Sequence, residues 1–180
     1  MRKYNDDQYR KATIMGSFNK HYPIIRNIAN YFKENGIEVI APSITTIAKN
    51  DGEYAILKTD TSEDPVDLET EFLRKCIEAD FVYVCNKDGY MGKTVMFELG
   101  YMLAKGQEVF FMEKPAEEKL IMEMVNKSFA PIVYTAEELV RMIKEHNKFP
   151  YVNFIGNDLF DRFNKPTPEF KFKDIEDEER

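Results

Sequence analysis

The segment Phe81-Val82-Tyr83-Val84-Cys85 is apolar at every position, and it constrains the fold more than any other feature of the chain. A strand with one wet face alternates apolar and polar residues. A strand without that alternation must be covered on both faces, as a central strand of a parallel sheet is. Helices do the covering, and they lie on either side of this run in sequence. Residues 67–78 place Leu68, Phe72, Leu73, Cys76 and Ile77 at helical spacing, and a helix is expected over 94–105, ended by Gly106.

The same alternation extends in both directions. Lys11 leads into Ala12-Thr13-Ile14-Met15, a short apolar run that stops at Gly16 and Ser17. Residues 22–35 carry Ile24, Ile25, Ile28, Ala29, Tyr31 and Phe32 at helical spacing before Gly36, and 37–41 makes a second strand. Downstream come a strand over 108–112, a helix from 115 to about 126, and a short strand over 131–134. Thr135-Ala136-Glu137-Glu138 then forms a capping box for a helix reaching His146. Five strands alternating with helices predict an α/β, flavodoxin-like or Rossmann-like three-layer sandwich. Its five-stranded, mainly parallel sheet should have the order 2-1-3-4-5, counting those strands along the chain.

Two stretches do not follow the repeat. Residues 42–65 hold a turn signal, Asn50-Asp51-Gly52, and an apolar patch, Tyr54-Ala55-Ile56-Leu57; long irregular stretches inside a domain are often functional. Beyond Lys148 the chain is aromatic to Phe172 and then acidic. The expected organisation is one α/β domain over 1–148 and an extension over 149–180, packed on the domain or on a neighbouring subunit and disordered at its end.

Charge narrows the partners. The formal net charge is -7 and the pI near 5.0, so global electrostatics oppose binding to a nucleic-acid polymer or an anionic membrane surface. No apolar run approaches the length of a membrane span. Cys76 and Cys85 form neither a CxxC pair nor a disulfide-dense pattern and read as two buried thiols, which points to the cytoplasm. His21 and His146 have no spaced ligand partners, so no metal is expected, and no cofactor fingerprint is present.

In an open parallel sheet, ligands bind beyond the carboxyl ends of the strands, which singles out two loops. In Gly16-Ser17-Phe18-Asn19-Lys20-His21, glycine permits close backbone approach, and the serine hydroxyl and helix-start amides suit a phosphate or sugar hydroxyl; an ordinary tight turn would look the same. The second is Asp88-Gly89-Tyr90-Met91-Gly92-Lys93-Thr94, with Glu98 just inside the following helix. Gly16 lacks a GxGxxG continuation, and Gly92-Lys93-Thr94 lacks the first glycine of a P-loop, so neither is a dinucleotide or Walker motif. Thr94, Val95, Tyr101 and Met102 lie three or four positions from Glu98, which puts this carboxylate on an apolar stripe. Burial there would perturb it, as is common at functional sites; the alternative is an early-turn glutamate facing solvent and favoured by the helix dipole.

The run Asp80-Phe81-Val82-Tyr83-Val84-Cys85-Asn86, then Asp88-Gly89-Tyr90-Met91-Gly92, then Phe97-Glu98-Leu99-Gly100-Tyr101-Met102-Leu103-Ala104-Lys105-Gly106, resembles the nucleoside 2-deoxyribosyltransferase superfamily. That superfamily includes the 2-deoxynucleoside 5-monophosphate N-hydrolase-like proteins. With Gly16-Ser17 the similarity spans residues 11–112, and Glu98-Leu99-Gly100-Tyr101 is its most specific part. The resemblance implies a small-molecule nucleoside or nucleotide substrate. It makes Glu98 the nucleophile that attacks the anomeric carbon, and it places the binding surface on Gly16, Ser17, Phe18, Asp88, Gly89, Tyr90, Gly92, Lys93 and Thr94. Such a nucleophile is expected to be ionised, with donors such as Ser17 or loop amides balancing its burial. The resemblance also implies a homodimer or higher homo-oligomer, because the similar enzymes complete their sites across subunits. Where those enzymes carry a strand-one tyrosine this chain has Thr13-Ile14-Met15, and where they carry a helix aspartate it has Phe72, with Asp67, Glu69 and Glu71 nearby. A loop binding phosphate through Lys93 and Thr94 while leaving the glycosidic bond intact would instead make the chain a nucleotide-binding or sensing module.

Overall fold

The computed structural model describes residues 11–43, 47–50, 55–116 and 132–146. The central strand is β5, Phe81–Cys85, buried at all five positions. On one side it pairs in parallel with β1, Lys11–Gly16, placing Ala12 against Phe81 and Gly16 against Cys85. On the other it pairs with β6, Val109–Phe111, which pairs with β7, Ile132–Val133. Strand β2, Glu38–Ala41, closes the opposite edge beside β1. Every pairing is parallel and the order is β2-β1-β5-β6-β7, which is the expected 2-1-3-4-5 once the two strands of a separate hairpin are set aside.

Alternation along β5 explains why the strand needed no polar positions. Phe81, Tyr83 and Cys85 enter the core formed with α1, Phe18–Glu34, and α4, Ala136–His146. Val82 and Val84 enter the core on the other face, formed with α2, Pro65–Glu78, and α3, Lys93–Ala104. On the first face Phe32 meets Phe81 and Tyr83 edge to face, with centroids 6.0 and 5.4 Å apart. Each such pair contributes about 0.5–1.5 kcal/mol beyond simple burial. The Tyr83 hydroxyl reaches out of this core and donates to the Tyr134 carbonyl at 2.8 Å.

The helix starts follow their caps. Asp64 accepts from the Val66 amide at 2.7 Å with Pro65 in the first helical position, and α2 begins there. Thr135 and Glu138 exchange the two bonds of the expected capping box, at 2.9 and 3.2 Å. Helix α1 begins at Phe18, a turn before the helix expected from residue 22, because the Ser17 carbonyl already accepts from the Lys20 and His21 amides. The stretch read as irregular over 42–65 contains a hairpin: β3, Ile47–Asn50, pairs antiparallel with β4, Ala55–Leu57. Both cysteines are free and buried, as read. The helix expected from residue 115 lies largely outside the described residues, as does the whole 149–180 extension. No helix of the described residues is long and apolar enough to cross a membrane.

Candidate functional site

The chain leaves β1 toward β2 on one side and later returns to β5 on the other, so the strand order reverses between β1 and β5. A crevice opens at the carboxyl ends of strands at such a point. Both loops singled out in the sequence start there, one after Gly16 and the other after Cys85, which are register partners.

Gly16 is required by packing. A Cβ on it would stand 2.9 Å from the Cys85 carbonyl oxygen and 3.2 Å from Ile25 Cδ1, so the residue lets β1, β5 and α1 close together. Ser17 is the N-cap of α1, but its side chain makes no capping bond. Phe18 is half-buried and stacks on Tyr22, with centroids 5.5 Å apart.

The second loop begins as a short turn, Lys87–Gly89, anchored to the end of β6. Asn86 donates to the Glu113 carbonyl and accepts from its amide, while Lys87 Nζ and the Asp88 amide hold the Glu113 carboxylate at 2.8 and 2.9 Å. Asp88 itself is exposed. Gly89 has a φ of +71°, and a Cβ there would lie 2.7 Å from the Lys114 carbonyl oxygen. Only glycine meets both conditions. Asp88 and Gly89 thus shape the loop. Tyr90 turns the other way: Lys20 Nζ sits 3.4 Å from its ring centroid and the His21 ring meets it edge-on at 5.9 Å. Tyr90 therefore joins this loop to the start of α1. Gly92 is the N-cap of α3, and Lys93 and Thr94 are exposed in its first turn.

Glu98 points inward. It is 7% exposed, on the face of α3 that also buries Val95, Leu99 and Met102, whereas Tyr101 and Thr94 lie on the outer side. Burial pushes its carboxyl up to about 8, and the neighbouring charge of Glu69 adds to the effect. No described residue donates a hydrogen bond to offset that cost. Donors such as Ser17, expected to balance the burial of Glu98, are not found among the described residues, and desolvation favours its protonated form.

Glu69 is the second carboxylate of the site. Of the three acids on α2 near Phe72, Asp67 is exposed and accepts from Ser62, and Glu71 is exposed and held down to about 2 by its hydrogen bond from Arg74. Glu69 alone turns inward. Its Oε1 is buried without a hydrogen-bond partner among the described residues, and burial raises its pKa. Thr13 faces the same core as Met15 by strand alternation; its buried hydroxyl makes no well-formed hydrogen bond among the described residues but lies near enough to the Cys76 thiol to interact with it. The Cys76 thiol lies among these groups; burial pushes it up to about 12 against an opposing hydrogen bond with Thr13, with Glu98 and Glu69 adding to the rise, so it is inert as a nucleophile.

The Thr13 hydroxyl and Glu69 Oε1 are thus buried without a well-formed hydrogen bond among the described residues, and the buried Glu98 stands beside Glu69. Such groups cost about 1–3 kcal/mol each when left unsatisfied, and clusters of them occur where function requires them. Spacing could have pointed to Glu69, since it stands on the stripe 69, 72, 73, 76 that Phe72, Leu73 and Cys76 define. Among the described residues no group of three His, Cys, Asp or Glu side chains could hold a metal ion. The sequence matches no protein-family model and no curated protein.

Proposed function

We propose that this chain is an enzyme acting on the N-glycosidic bond of a deoxynucleoside, nucleoside or nucleoside 5-monophosphate, with Glu98 as nucleophile. The observation that carries the reading is the pair Glu98 and Glu69: two inward carboxyl groups with raised pKa values beneath the switch-point crevice. Glycosyl chemistry uses two carboxyl groups in distinct roles, and environments that perturb two neighbouring acids to different degrees assign those roles.

In the proposed reaction a Glu98 oxygen forms a bond to the anomeric carbon as the bond from that carbon to the base nitrogen breaks. The bonding electrons leave with the base, which takes up a proton. Water or a second base then attacks the same carbon, and the ester electrons return to Glu98. The first step needs Glu98 ionised. Sugar hydroxyls and the positive charge developing on the anomeric carbon favour the carboxylate, and Glu69 is the neighbouring group placed to take the proton and pass it to the departing base. This route has a hydrolase and a transferase outcome that differ only in the second acceptor.

Release of free base from a panel of nucleosides and their 5-monophosphates, compared between the wild type and Glu98→Ala, tests the reading; absence of any Glu98-dependent release overturns it. A second reading is a nucleotide-binding or sensing module, favoured by a Glu98 that is protonated and lacks donors. Thermal-shift screening separates the two, since a nucleotide that raises Tm and is recovered unconsumed supports binding without turnover. The same proposal places the protein in the cytoplasm, where buried unpaired thiols such as Cys76 and Cys85 are the usual form. It also includes self-association: the outer face of α3 exposes Phe97 at 60% and Tyr101 at 37%, an apolar surface that a second copy would cover.

A further inference from the structure

The loop that links β5 to α3 is held in shape by residues outside itself. Its turn, Lys87–Gly89, places two successive residues in the left-handed region, Asp88 at a φ of +56° and Gly89 at +71°. Glycine adopts that conformation freely, whereas an aspartate does so at a cost, so local preference alone does not keep the turn. The residues that follow β6 offset the cost. Both oxygens of the Glu113 carboxylate are engaged by the turn, Oε1 by Lys87 Nζ at 2.8 Å and Oε2 by the Asp88 amide at 2.9 Å. The Asn86 side chain clasps the Glu113 backbone, and the Ala116 amide donates to the Gly89 carbonyl at 2.9 Å. Among these contacts, the bond to Glu113 Oε2 is the one made by the amide of the strained aspartate itself.

What the turn carries gives this arrangement its consequence. Tyr90 follows directly and lies against Lys20 and His21 of α1. Met91 comes next; it is 5% exposed and enters the same core as Val95 and Leu99, which stand on either side of Glu98 along α3. A turn released from its left-handed form would displace both side chains together, because only Tyr90 separates Gly89 from Met91. Glu113 is half-buried beyond the end of β6, so its carboxylate acts on the site through the loop.

We propose that Glu113 is a positioning residue: its carboxylate latches the Lys87–Gly89 turn and so holds Tyr90 and Met91 in the arrangement that accepts the ligand. This rests on the nucleoside reading above and adds to it the residue that sets the fraction of molecules ready to bind. A latch that acts before binding lowers apparent affinity by that fraction and leaves the reaction at saturation alone, since bound ligand selects the held loop.

The test uses the full chain and two readouts. One is amide hydrogen exchange without ligand, followed by mass spectrometry; the other is steady-state release of base from the best nucleoside or monophosphate substrate. Glu113→Ala should speed exchange over residues 86–92 by roughly tenfold or more, while β1 and β5 keep their protection. It should raise KM by a similar factor and leave kcat within about twofold. Glu113→Gln keeps a carbonyl oxygen for the Asp88 amide and loses the charge facing Lys87, so both effects should be partial, and this variant serves if Glu113→Ala does not fold. Asp88→Gly added to either variant removes the cost of the left-handed conformation and should restore much of the loop's protection, a rescue that a side chain merely packed on the loop would not show. Protection lost over the whole chain, kcat lowered at unchanged KM, no rescue by Asp88→Gly, or no change in any variant overturns the latch and leaves the nucleoside reading standing. If the wild type releases no base, the nucleoside reading falls, and the exchange pattern alone decides whether Glu113 holds the loop.

Discussion

A carboxyl group held at about 8 by burial ties the stability of the molecule to pH in a defined direction. Below the ordinary value of 4.5 both folded and unfolded chains carry the proton on Glu98; between 4.5 and about 8 only the folded chain keeps it. The folded state then binds more protons than the unfolded one, so stability falls as pH rises through that window and levels off above it. Glu69 is shifted in the same direction and adds to the trend. Glu98→Gln removes the titrating group but keeps the shape. In urea titrations at a series of pH values, the stability of this variant relative to the wild type should increase steadily from pH 5 to pH 8. A difference independent of pH would show that Glu98 is ionised in the folded chain. The inward direction of Glu98 was legible from its spacing to Val95 and Met102. Its ionisation was not, because that depends on how many donors the other elements bring to it, and helix spacing carries no information about them.

At the scale of elements, local chemistry was read well where a side chain closes its own helix. The Thr135 and Glu138 pair starts α4 without help from the rest of the fold, so Thr135→Ala should cost about 1 kcal/mol, measured as a loss of unfolding free energy. An unchanged midpoint would mean that the packing of Leu139 and Val140 alone sets this helix. Reading failed where an element is defined by a distant partner. Strands β3 and β4 are short, and the apolar residues of the segment suggested no period; they become strands through antiparallel pairing with each other. Helix α1 shows a subtler case. Pro23 favours a start near residue 22, yet the Ser17 carbonyl captures two amides a turn earlier, and this places His21 inside the helix.

For the molecule as a whole, one consequence of the three-layer arrangement is that α3 cannot bury every apolar residue it carries. Its inner face packs Val95, Leu99 and Met102 on the sheet and leaves Phe97 and Tyr101 outside. If a second copy covers that face, sedimentation at micromolar concentration will show a dimer or larger species, and Phe97→Asp will shift it toward monomer by placing a charge in the interface. A wild-type chain that sediments only as monomer removes the assembly from the proposal. The sequence by itself determined the parallel sheet, because a strand as uniformly apolar as Phe81–Cys85 has no stable place except between two covered faces. It also determined which ends of the strands carry the loops, since turn residues follow each apolar run. Only the tertiary structure decided which polar groups share the interior. Thr13, Glu69 and Glu98 come from β1, α2 and α3, and the protonation of the two carboxyl groups depends on mutual distance and exclusion of water, quantities that exist only after the layers have packed.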